Sequence, residues 1–395
     1  MRILFLHEVN YLTKPIFEMH EFPEHLAKLG HEVGFVQFPE GYSQAQIKEL
    51  GFRKTISGRV VPNVELALFT PWTISGSFLG RLLTAALSFW QIKKVLSDFK
   101  PDVVVSFSVP TSGWQALLAC KRARVPYVFR ALDVSHKIRK GLFSWLVKQA
   151  EIFIYKNADF LSANNPAMLE YCADLGNRRG PSGVDLPPLD LSHFAAQDGE
   201  ASSLRSQLGI KQENHVILYM GSFFYFSGLP EVIQAMVTAP DDCVLVLVGG
   251  GEQDAELRDL VEKLELQKRV KFTGFVGFDL LPQYLKLADV AINPMHISLV
   301  SNTAFPNKVI QYLASGVPVV STRLKGLEMT FPESPALSFV EGSDQVVSGA
   351  TAIAQRGKPL SLTSEAVALV AGKFGIVPTV TAFNRRLEEV VANVR

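Results

Sequence analysis

The chain has 395 residues, of which 48% are hydrophobic and 19% are charged, and its formal net charge at pH 7 is +1. This length exceeds the usual reach of one hydrophobic core and predicts two domains. The apolar composition indicates large covered sheets and argues against disorder, and we expect no nucleic-acid partner. The three cysteines are scattered without a CxxC or metal-ligand spacing, which predicts buried thiols of a reducing compartment and no metal site.

The apolar stretches predict neither a signal peptide nor a membrane span. The segment MRILFLHEVN reaches Glu8 before any long apolar run and is predicted to be a strand. The uncharged window from Val103 to Cys120 contains Pro110 and Gly113, which is typical of a strand, a loop and a helix. We therefore expect a cytoplasmic protein.

Positive charge is concentrated in the first half of the chain. Between Gly51 and Lys148 there are 15 Lys or Arg residues and 4 Asp or Glu residues, a net charge of +11. Near the end of this segment, Lys137 to Lys156 combines cations with bulky apolar and aromatic residues. It is either a helix that lies in an anionic membrane interface or a core helix packed on a sheet. The first interpretation predicts that residues 51–156 make the protein peripheral on the inner membrane face.

The beginning of the chain alternates between strand and helix patterns. Mostly apolar strands, Arg2 to His7 and Val33 to Phe38, enclose a helix over Phe17 to Leu29 that Gly30 ends. This order is typical of a doubly wound sheet. The segment from Gly51 to Gly80 has no clear pattern beyond one or two short strands.

Loops at the carboxyl ends of predicted strands are the places where open α/β sheets bind ligands. In the first half, two such loops contain Ser108, Thr111 and Asp133. Asp133 is therefore a candidate site residue, with the N-cap of the following helix as the alternative.

A linker rich in Gly and Pro, GNRRGPSGVDLPPLDLS, precedes a second series of strands and helices. One strand of this series ends at Gly221 and Ser222, and another runs into Gly249 to Gly251. Three glycines after a strand either bind an anion through backbone N–H groups or form a tight turn. Glu252 and Asp254 already satisfy the dipole of the next helix, which makes a phosphate there less favourable.

A loop, a helix and a strand are predicted within Ser301 to Thr322. Pro306 suits the first turn of the helix, and Gly316 suits its end. Lys308 falls in the first turn, where the helix dipole disfavours a cation, so a bound anion is expected. The predicted phosphate ligands are Lys308, the N–H groups of Ser301, Asn302 and Thr303, and the hydroxyls of Ser301 and Thr303. Gln311 is predicted to reach a ribose or sugar hydroxyl, and the alternative for Lys308 is a solvated side chain.

Two segments, RVKFTGFVGFDLLPQYLKLADVAINP and FPNKVIQYLASGVPVVST, resemble the C-terminal half of retaining GT-B glycosyltransferases of family 4 (glycosyl transferases group 1). The phrases LVGGGEQDAELRDLVEKL, GHEV and PSGVD fit the same pattern. The resemblance implies an α/β fold in which two Rossmann-like doubly wound domains face each other across a cleft. It places an acceptor domain at residues 1–190, a nucleotide-sugar domain at 191–376 and a helix that crosses back to the N-terminal domain at 377–395.

The resemblance also implies transfer of a sugar from a UDP- or GDP-type donor to a glycan or lipid-linked acceptor with retention. We expect no metal, because the sequence contains no Asp-rich ligand pair, and no cofactor besides the nucleotide-sugar co-substrate. By position, Phe275 and Val276 would meet the nucleobase, and Gly221 and Ser222 would face the diphosphate. The catalytic candidates are Lys308 at the leaving group and Asp133 or His20 at the acceptor, although a histidine in a helix is more often a surface residue. The donor-binding candidates are Gly221, Ser222, Gly249, Gly250, Phe275, Val276, Ser301, Asn302, Thr303 and Gln311.

The sequence departs from the family pattern at three places. The family commonly has two glutamates eight residues apart, and the corresponding residues of this sequence are Thr303 and Gln311. The loop FFYFSG lacks the usual basic pair, for which Lys308 is the predicted substitute, and no glycine pair occurs near residue 12. Two alternatives therefore stay open: a nucleotide-sugar 2-epimerase of the same fold, and a degenerate binding protein without activity.

Overall fold

The computed structural model describes residues 1–39, 42–73, 78–137, 141–195, 201–357 and 359–394. These residues form two compact units, Met1–Pro188 together with Ile376–Arg395, and Leu189–Gly375. Each unit has one mostly parallel sheet and a hydrophobic core of its own. The predicted pair of Rossmann-like α/β sheets is therefore confirmed. Two cations of the predicted interfacial segment, Arg139 and Lys140, lie outside the described residues.

The sheet of the first unit has eight strands in the spatial order β3-β4-β2-β1-β5-β6-β7-β8. Among the described strands of this sheet, β3 and β4 pair in antiparallel fashion and the others pair in parallel. The direction of winding reverses between β1 and β5, which makes their carboxyl ends the switch point of this sheet. The strands are β1 (Arg2–Leu6), β2 (Glu32–Val36), β3 (Arg53–Ser57), β4 (Glu65–Phe69), β5 (Val103–Ser106), β6 (Tyr127–Ala131), β7 (Phe160–Ala163) and β8 (Ser182–Val184).

The segment from Gly51 to Gly80 contains the antiparallel pair at the edge of this sheet. β4 lies between β2 and β3 and is mostly buried, whereas β3 is largely exposed and carries Arg53 and Lys54. Charged residues on an edge strand oppose pairing with other chains. The helices that pack on the sheet are α1 (Glu18–Lys28), α2 (Gln44–Leu50), α3 (Phe78–Phe99), α4 (Gly113–Ala123), α5 (Gly141–Asn157) and α6 (Pro166–Gly176).

The second unit has six parallel strands in the order β11-β10-β9-β12-β13-β14, so its switch point lies between β9 and β12. The strands are β9 (His215–Ser222), β10 (Cys243–Gly250), β11 (Val270–Gly274), β12 (Val290–Asn293), β13 (Val319–Thr322) and β14 (Leu337–Val340). The helices are α7 (Leu191–Phe194), α8 (Ala201–Gln207), α9 (Leu229–Ala235), α10 (Asp254–Lys263), α11 (Leu281–Leu287), α12 (Leu299–Thr303), α13 (Asn307–Ala314), α14 (Lys325–Glu328), α15 (Val346–Gln355) and α16 (Leu360–Phe374).

The last helix, α17 (Ile376–Val394), belongs to the first unit, as predicted. Its ring of Phe383 lies 4.4 Å from the ring of Phe22 on α1, and Leu387 is fully buried in the same core. The first unit is therefore assembled from both ends of the chain. All three cysteines are buried. Among the described residues, no helix combines the length and apolarity that crossing a bilayer requires.

Candidate active site

Lys308 lies at the switch point of the second sheet, in the first turn of α13. Its Nζ donates a hydrogen bond of 2.9 Å to Tyr219 Oη and lies 4.1 Å from the centroid of that ring. In the described part of the chain, no carboxylate lies within 4.0 Å of this ammonium. The protein therefore brings a cation to the end of β9 without neutralising it, and the purely solvated alternative for Lys308 is wrong.

Two tyrosines hold α13 against β9, and the sequence interpretation missed both. The Tyr219 hydroxyl donates to the carbonyl oxygen of Ser222 at 2.9 Å, and the backbone N–H of Met220 donates to Tyr312 Oη at 2.7 Å. Tyr312 is one turn beyond Lys308 on α13, and Tyr219 is two residues before Gly221 on β9. Residues four apart share one face of a helix, and residues two apart share one face of a strand. These spacings could have predicted from the sequence that both tyrosines lie at the site.

Gly221 gives the Lys308 side chain its space. Its φ is +138°, and a Cβ there would lie 3.0 Å from Lys308 Nζ. Gly249 pairs with Gly221 and has φ +132°, and a Cβ there would lie 2.0 Å from the Gly221 carbonyl oxygen. Strand packing alone therefore requires Gly249. Gly250 lies beside Ser222 and accepts a hydrogen bond from Phe223 N at 2.9 Å, so these glycines close the end of the sheet around Lys308.

The predicted phosphate ligands Ser301 and Thr303 are wrong. They lie in α12, where Ser301 is buried and its hydroxyl donates to His296 O at 2.6 Å, and the Thr303 hydroxyl donates to Leu299 O at 2.8 Å. The N–H groups of this helix are also used, because Asn302 N donates to Ser298 O at 2.9 Å. A capping Ser298 three residues earlier therefore turns the predicted loop into a helical turn.

The first backbone N–H groups of α13 replace Ser301 and Thr303 as candidate phosphate ligands. Pro306 is the N-cap of this helix and has no side-chain hydrogen bond to it, and the first internal bond runs from Val309 N to Pro306 O at 2.9 Å. The N–H groups of Asn307 and Lys308 therefore have no partner within the helix. Gln311 follows one turn later, is half-buried, and makes no side-chain hydrogen bond with the other described residues.

Phe275 is among the most exposed aromatic residues of the second unit, with 77% of its surface accessible. The chain turns at Gly274, where φ is +72°, so Phe275 and the half-buried Val276 follow the carboxyl end of β11. A Cβ on Gly250 would lie 3.0 Å from the Phe275 ring. The residue predicted to meet the nucleobase, Phe275, thus has an exposed ring that lies beside the carboxyl end of the neighbouring strand β10.

The loop after β9 has exposed aromatic side chains where a basic pair was expected. Phe224, Tyr225 and Phe226 are each more than a third exposed, and the rings of Phe224 and Phe226 stack at 5.2 Å. Ser227 holds the loop, because its hydroxyl accepts from Phe224 N and donates to the Ser222 carbonyl oxygen, both at 3.1 Å. The loop supplies apolar surface and no charge, so Lys308 is the cation at the end of β9.

The switch point of the first sheet contains His7 and Glu8, which the sequence interpretation did not select. Glu8 Oε1 accepts from Thr111 N at 2.7 Å and from Ser112 N at 2.9 Å, which caps the loop before α4. The His7 ring stacks on Phe107 at 5.2 Å, and burial lowers the pKa of His7 to about 3. His7 is therefore neutral at pH 7. Its position directly after the first predicted strand could have identified His7 as a candidate site residue from the sequence.

Asp133 is exposed in a bend two residues after β6. Its N-cap alternative is wrong, because the next helix, α5, begins only at Gly141. The pKa of Asp133 is raised, first by the protein atoms that crowd its carboxylate and then by the charge of Glu18, even though the residue keeps accessible surface. A carboxylate with a raised pKa accepts a proton more readily than an ordinary one.

His20 cannot serve as a catalytic base, and it is not a surface residue. It is fully buried in α1, with Nε2 at 2.9 Å from Tyr11 O and 2.7 Å from Arg59 Nη1. Burial lowers the pKa of His20 to about 4, and the charge of Arg59 acts in the same direction. A substrate hydroxyl has no access to it.

Acidification should destabilise the first unit through His20. Because the pKa of His20 is about 4 in the folded state and 6.5 ordinarily, the unfolded chain binds a proton first as the pH falls. Stability present above pH 6.5 is therefore lost between about pH 6.5 and 4, on the order of 3 kcal/mol. All four tryptophans lie between residues 72 and 145, so tryptophan fluorescence during urea unfolding at pH 7.5 and 4.5 reports on this unit. His20→Asn should show a smaller loss, and an equal loss would contradict the prediction.

Two family models match the chain, one in each unit. The model described as Glycosyl transferase 4-like domain matches residues 19–182, and the model described as Glycosyl transferases group 1 matches residues 201–334. The first match includes Asp133, and the second includes the end of β9 and Lys308. Residues 201–334 therefore belong to the group 1 glycosyl transferases, and residues 19–182 form a glycosyl transferase 4-like domain. The predicted family is confirmed, whereas retention of configuration stays a prediction.

This group 1 glycosyl transferase aligns with curated relatives over part of its length. It is 29% identical over 161 residues to an uncharacterized glycosyltransferase of Methanocaldococcus jannaschii, which covers 38% of this chain and 40% of that one. It is 25% identical over 261 residues to the putative teichuronic acid biosynthesis glycosyltransferase TuaC of Bacillus subtilis, which covers 64% and 61%. The alignments thus span less than two thirds of these relatives' length.

Solved structures share the fold over nearly the whole chain. HepE of Anabaena in complex with UDP superimposes with a TM-score of 0.75 at 21% identity, covering 98% of this chain and 100% of that one. This level of identity shows the fold alone, and the GT-B fold of the group 1 glycosyl transferase is confirmed. In the described residues, no group of three His, Cys, Asp or Glu side chains is placed to hold a metal ion.

Proposed function

We propose that this group 1 glycosyl transferase moves a sugar from a UDP- or GDP-type nucleotide sugar to a glycan or lipid-linked acceptor, with retention. The observation that carries the proposal is the Lys308 ammonium, which no carboxylate of the described residues neutralises, beside two N–H groups at the start of α13 that have no partner within the helix. This arrangement at a sheet switch point suits a diphosphate. HepE structures that hold UDP or UDP-glucose share the fold and support this donor class.

In the proposed reaction, the bond between the anomeric carbon and the diphosphate oxygen breaks as the acceptor oxygen bonds to that carbon on the same face. Lys308 and the N–H groups of Asn307 and Lys308 stabilise the charge that develops on the departing diphosphate. The acceptor proton passes to an oxygen of this diphosphate, and Asp133 orients the acceptor hydroxyl. No metal or cofactor takes part in these steps.

The two units receive different roles in this proposal. Residues 191–376 bind the donor, with Phe275 and Val276 at the base, Gln311 at a ribose or sugar hydroxyl, and Gly221, Ser222, Gly249 and Gly250 as the backbone floor. Residues 1–190 bind the acceptor at the carboxyl end of β6, and 377–395 complete that domain. Biosynthesis of a cell-surface polysaccharide is the proposed setting, supported by the teichuronic acid biosynthesis for which TuaC is named. The proposed location is the cytoplasmic side of the membrane.

A donor screen followed by product analysis tests the proposal. UDP-, GDP- and ADP-sugars should be compared by thermal shift, since a ligand of the folded state raises the apparent melting temperature. The stabilising donor is then incubated with and without a lipid-phosphate acceptor, and NMR of the product gives its anomeric configuration. Donor-dependent transfer with retention supports the proposal. A 2-epimer formed without acceptor, or binding without turnover, would establish one of the two alternatives instead.

A further inference from the structure

Helices α3, α4 and α5 of the first unit enclose a groove of about 620 Å³. This volume lies within the range of about 300–1,000 Å³ that is typical of small-molecule sites. The walls are almost entirely apolar and contain Leu82 on α3, Trp114 and Leu118 on α4, and Phe143, Leu146 and Phe153 on α5. The groove therefore suits a hydrocarbon and offers little to a sugar or a nucleotide.

The three helices that form this groove carry exposed tryptophans, of which Trp114 lines the groove. All four tryptophans of the chain are accessible, and the three on these helices, Trp90, Trp114 and Trp145, have 64%, 37% and 56% of their surface exposed. Tryptophan is highly buried on average in soluble proteins. It is enriched where one end of a side chain meets hydrocarbon and the other meets water.

The three helices are also strongly positive. They contain seven Lys or Arg residues and two carboxylates, a net charge of +5. Both carboxylates are engaged, because Glu151 is buried at 2.6 Å from His136 Nδ1 and Asp98 lies 2.8 Å from Arg53. Lys93 lies over the Trp90 ring at 5.3 Å, and Arg122 lies over Phe89 at 5.2 Å. These cations lie over aromatic rings of the same helices outside the groove, and the net positive charge of the three helices favours an anionic amphiphile.

The groove reaches the edge of the sheet where the acceptor is proposed to bind. Pro110 and Thr111 line it, and they lie in the loop after the carboxyl end of β5. β6, the neighbour of β5, ends two residues before Asp133. A chain lying between the helices would therefore bring its head group to the carboxyl edge that carries Asp133.

We propose that this groove binds the hydrocarbon chain of a phosphate-linked lipid that carries the acceptor sugar. The acceptor part of this inference rests on the proposed function. A second copy of the chain is a poorer occupant, because a symmetric contact would bring together two sets of these helices, each with a net charge of +5. The occupant is a single lipid, with its chain among the apolar walls and its phosphate at the carboxyl edge of the sheet.

Titration with farnesyl phosphate below its critical micelle concentration tests the groove without a bilayer. The signal is the change in intrinsic tryptophan fluorescence, to which Trp114 in the groove wall contributes. Farnesol supplies the chain without the charge, and inorganic phosphate the charge without the chain. We expect farnesyl phosphate to bind most tightly and phosphate not to compete. Leu146→Asp places a charge on the apolar wall and should weaken binding by about tenfold or more. Leu82→Asp repeats the test from another helix, since either variant alone could disturb folding.

Leu29→Asp is the matched control, because Leu29 is an exposed leucine of the same unit that does not line the groove. It should bind farnesyl phosphate as the unaltered protein does. Equal affinity in all variants, or binding to phosphatidylglycerol vesicles without binding to monomeric farnesyl phosphate, would overturn the proposal. The thermal shift with the nucleotide sugar, measured on the same proteins, separates the two hypotheses. If the nucleotide sugar produces no thermal shift, the donor assignment is refuted, whereas the binding of farnesyl phosphate in the groove still stands.

Discussion

Replacing Lys308 with alanine should lower kcat by about 10²- to 10³-fold while the protein stays folded. The side chain donates one hydrogen bond, to Tyr219 Oη at 2.9 Å, and contacts a ring that remains packed without it. Its loss therefore removes little from the fold. It does remove the one side-chain charge that we assign to the leaving diphosphate, and charge stabilisation usually lowers the barrier of such a step more than any other effect. Steady-state transfer from the stabilising nucleotide sugar measures the change in kcat.

The control for Lys308→Ala is Lys263→Ala, in the last turn of α10, where the side chain is exposed. This change removes the same charge from the same unit and should leave kcat unaltered. Melting temperatures of both variants should remain close to that of the unaltered protein. If turnover of Lys308→Ala equals that of Lys263→Ala, the anion site at the start of α13 is refuted.

Replacing Arg130 with methionine should destabilise the first unit by about 3–5 kcal/mol. Arg130 on β6 is fully buried and forms two hydrogen bonds with Glu18 on α1, from Nε at 2.9 Å and Nη2 at 2.8 Å. It also donates to Ser162 Oγ at 2.9 Å. Methionine fills similar space but leaves the Glu18 carboxylate buried without its cation. Urea unfolding followed by tryptophan fluorescence measures the loss in this unit.

The double variant Arg130→Met with Glu18→Gln separates packing from charge. It removes both charges, so it should recover part of the stability that Arg130→Met loses. A double variant no more stable than the single one would show that the ion pair is not the cause. Because Glu18 also raises the pKa of Asp133, the Glu18→Gln change should lower that pKa.

Local sequence patterns predicted the helices and strands that are determined by residues close to them in the chain. The helix expected over Phe17 to Leu29 is α1, Glu18–Lys28, and Pro306 and Gly316 bracket α13 as expected. The hairpin of β3 and β4 was not predicted. Its burial depends on β2, which pairs with β4 from more than thirty residues away in the chain. A strand that is half exposed and half covered has no clean period of its own.

The sequence predicted only those parts of the candidate site that depend on one side chain and its own helix. Lys308 was selected because a cation in a first helical turn conflicts with the dipole there, and the structure places it at the switch point. Ser301 and Thr303 have the right hydroxyls, but Ser298 recruits that segment into a helical turn. His20 was misjudged because Tyr11 and Arg59, which enclose it, come from other segments. Such enclosure leaves no periodic trace in the sequence.

The return of α17 to the first unit affects the order in which the protein forms during synthesis. Residues 189–375 are continuous, so that unit has all of its strands once residue 375 has left the ribosome. The other unit must wait for α17, whose Phe383 and Leu387 fill its core. Until then, the face of α1 around Phe22 stays uncovered and is open to chaperones. The half of the polypeptide made first is therefore the half completed last.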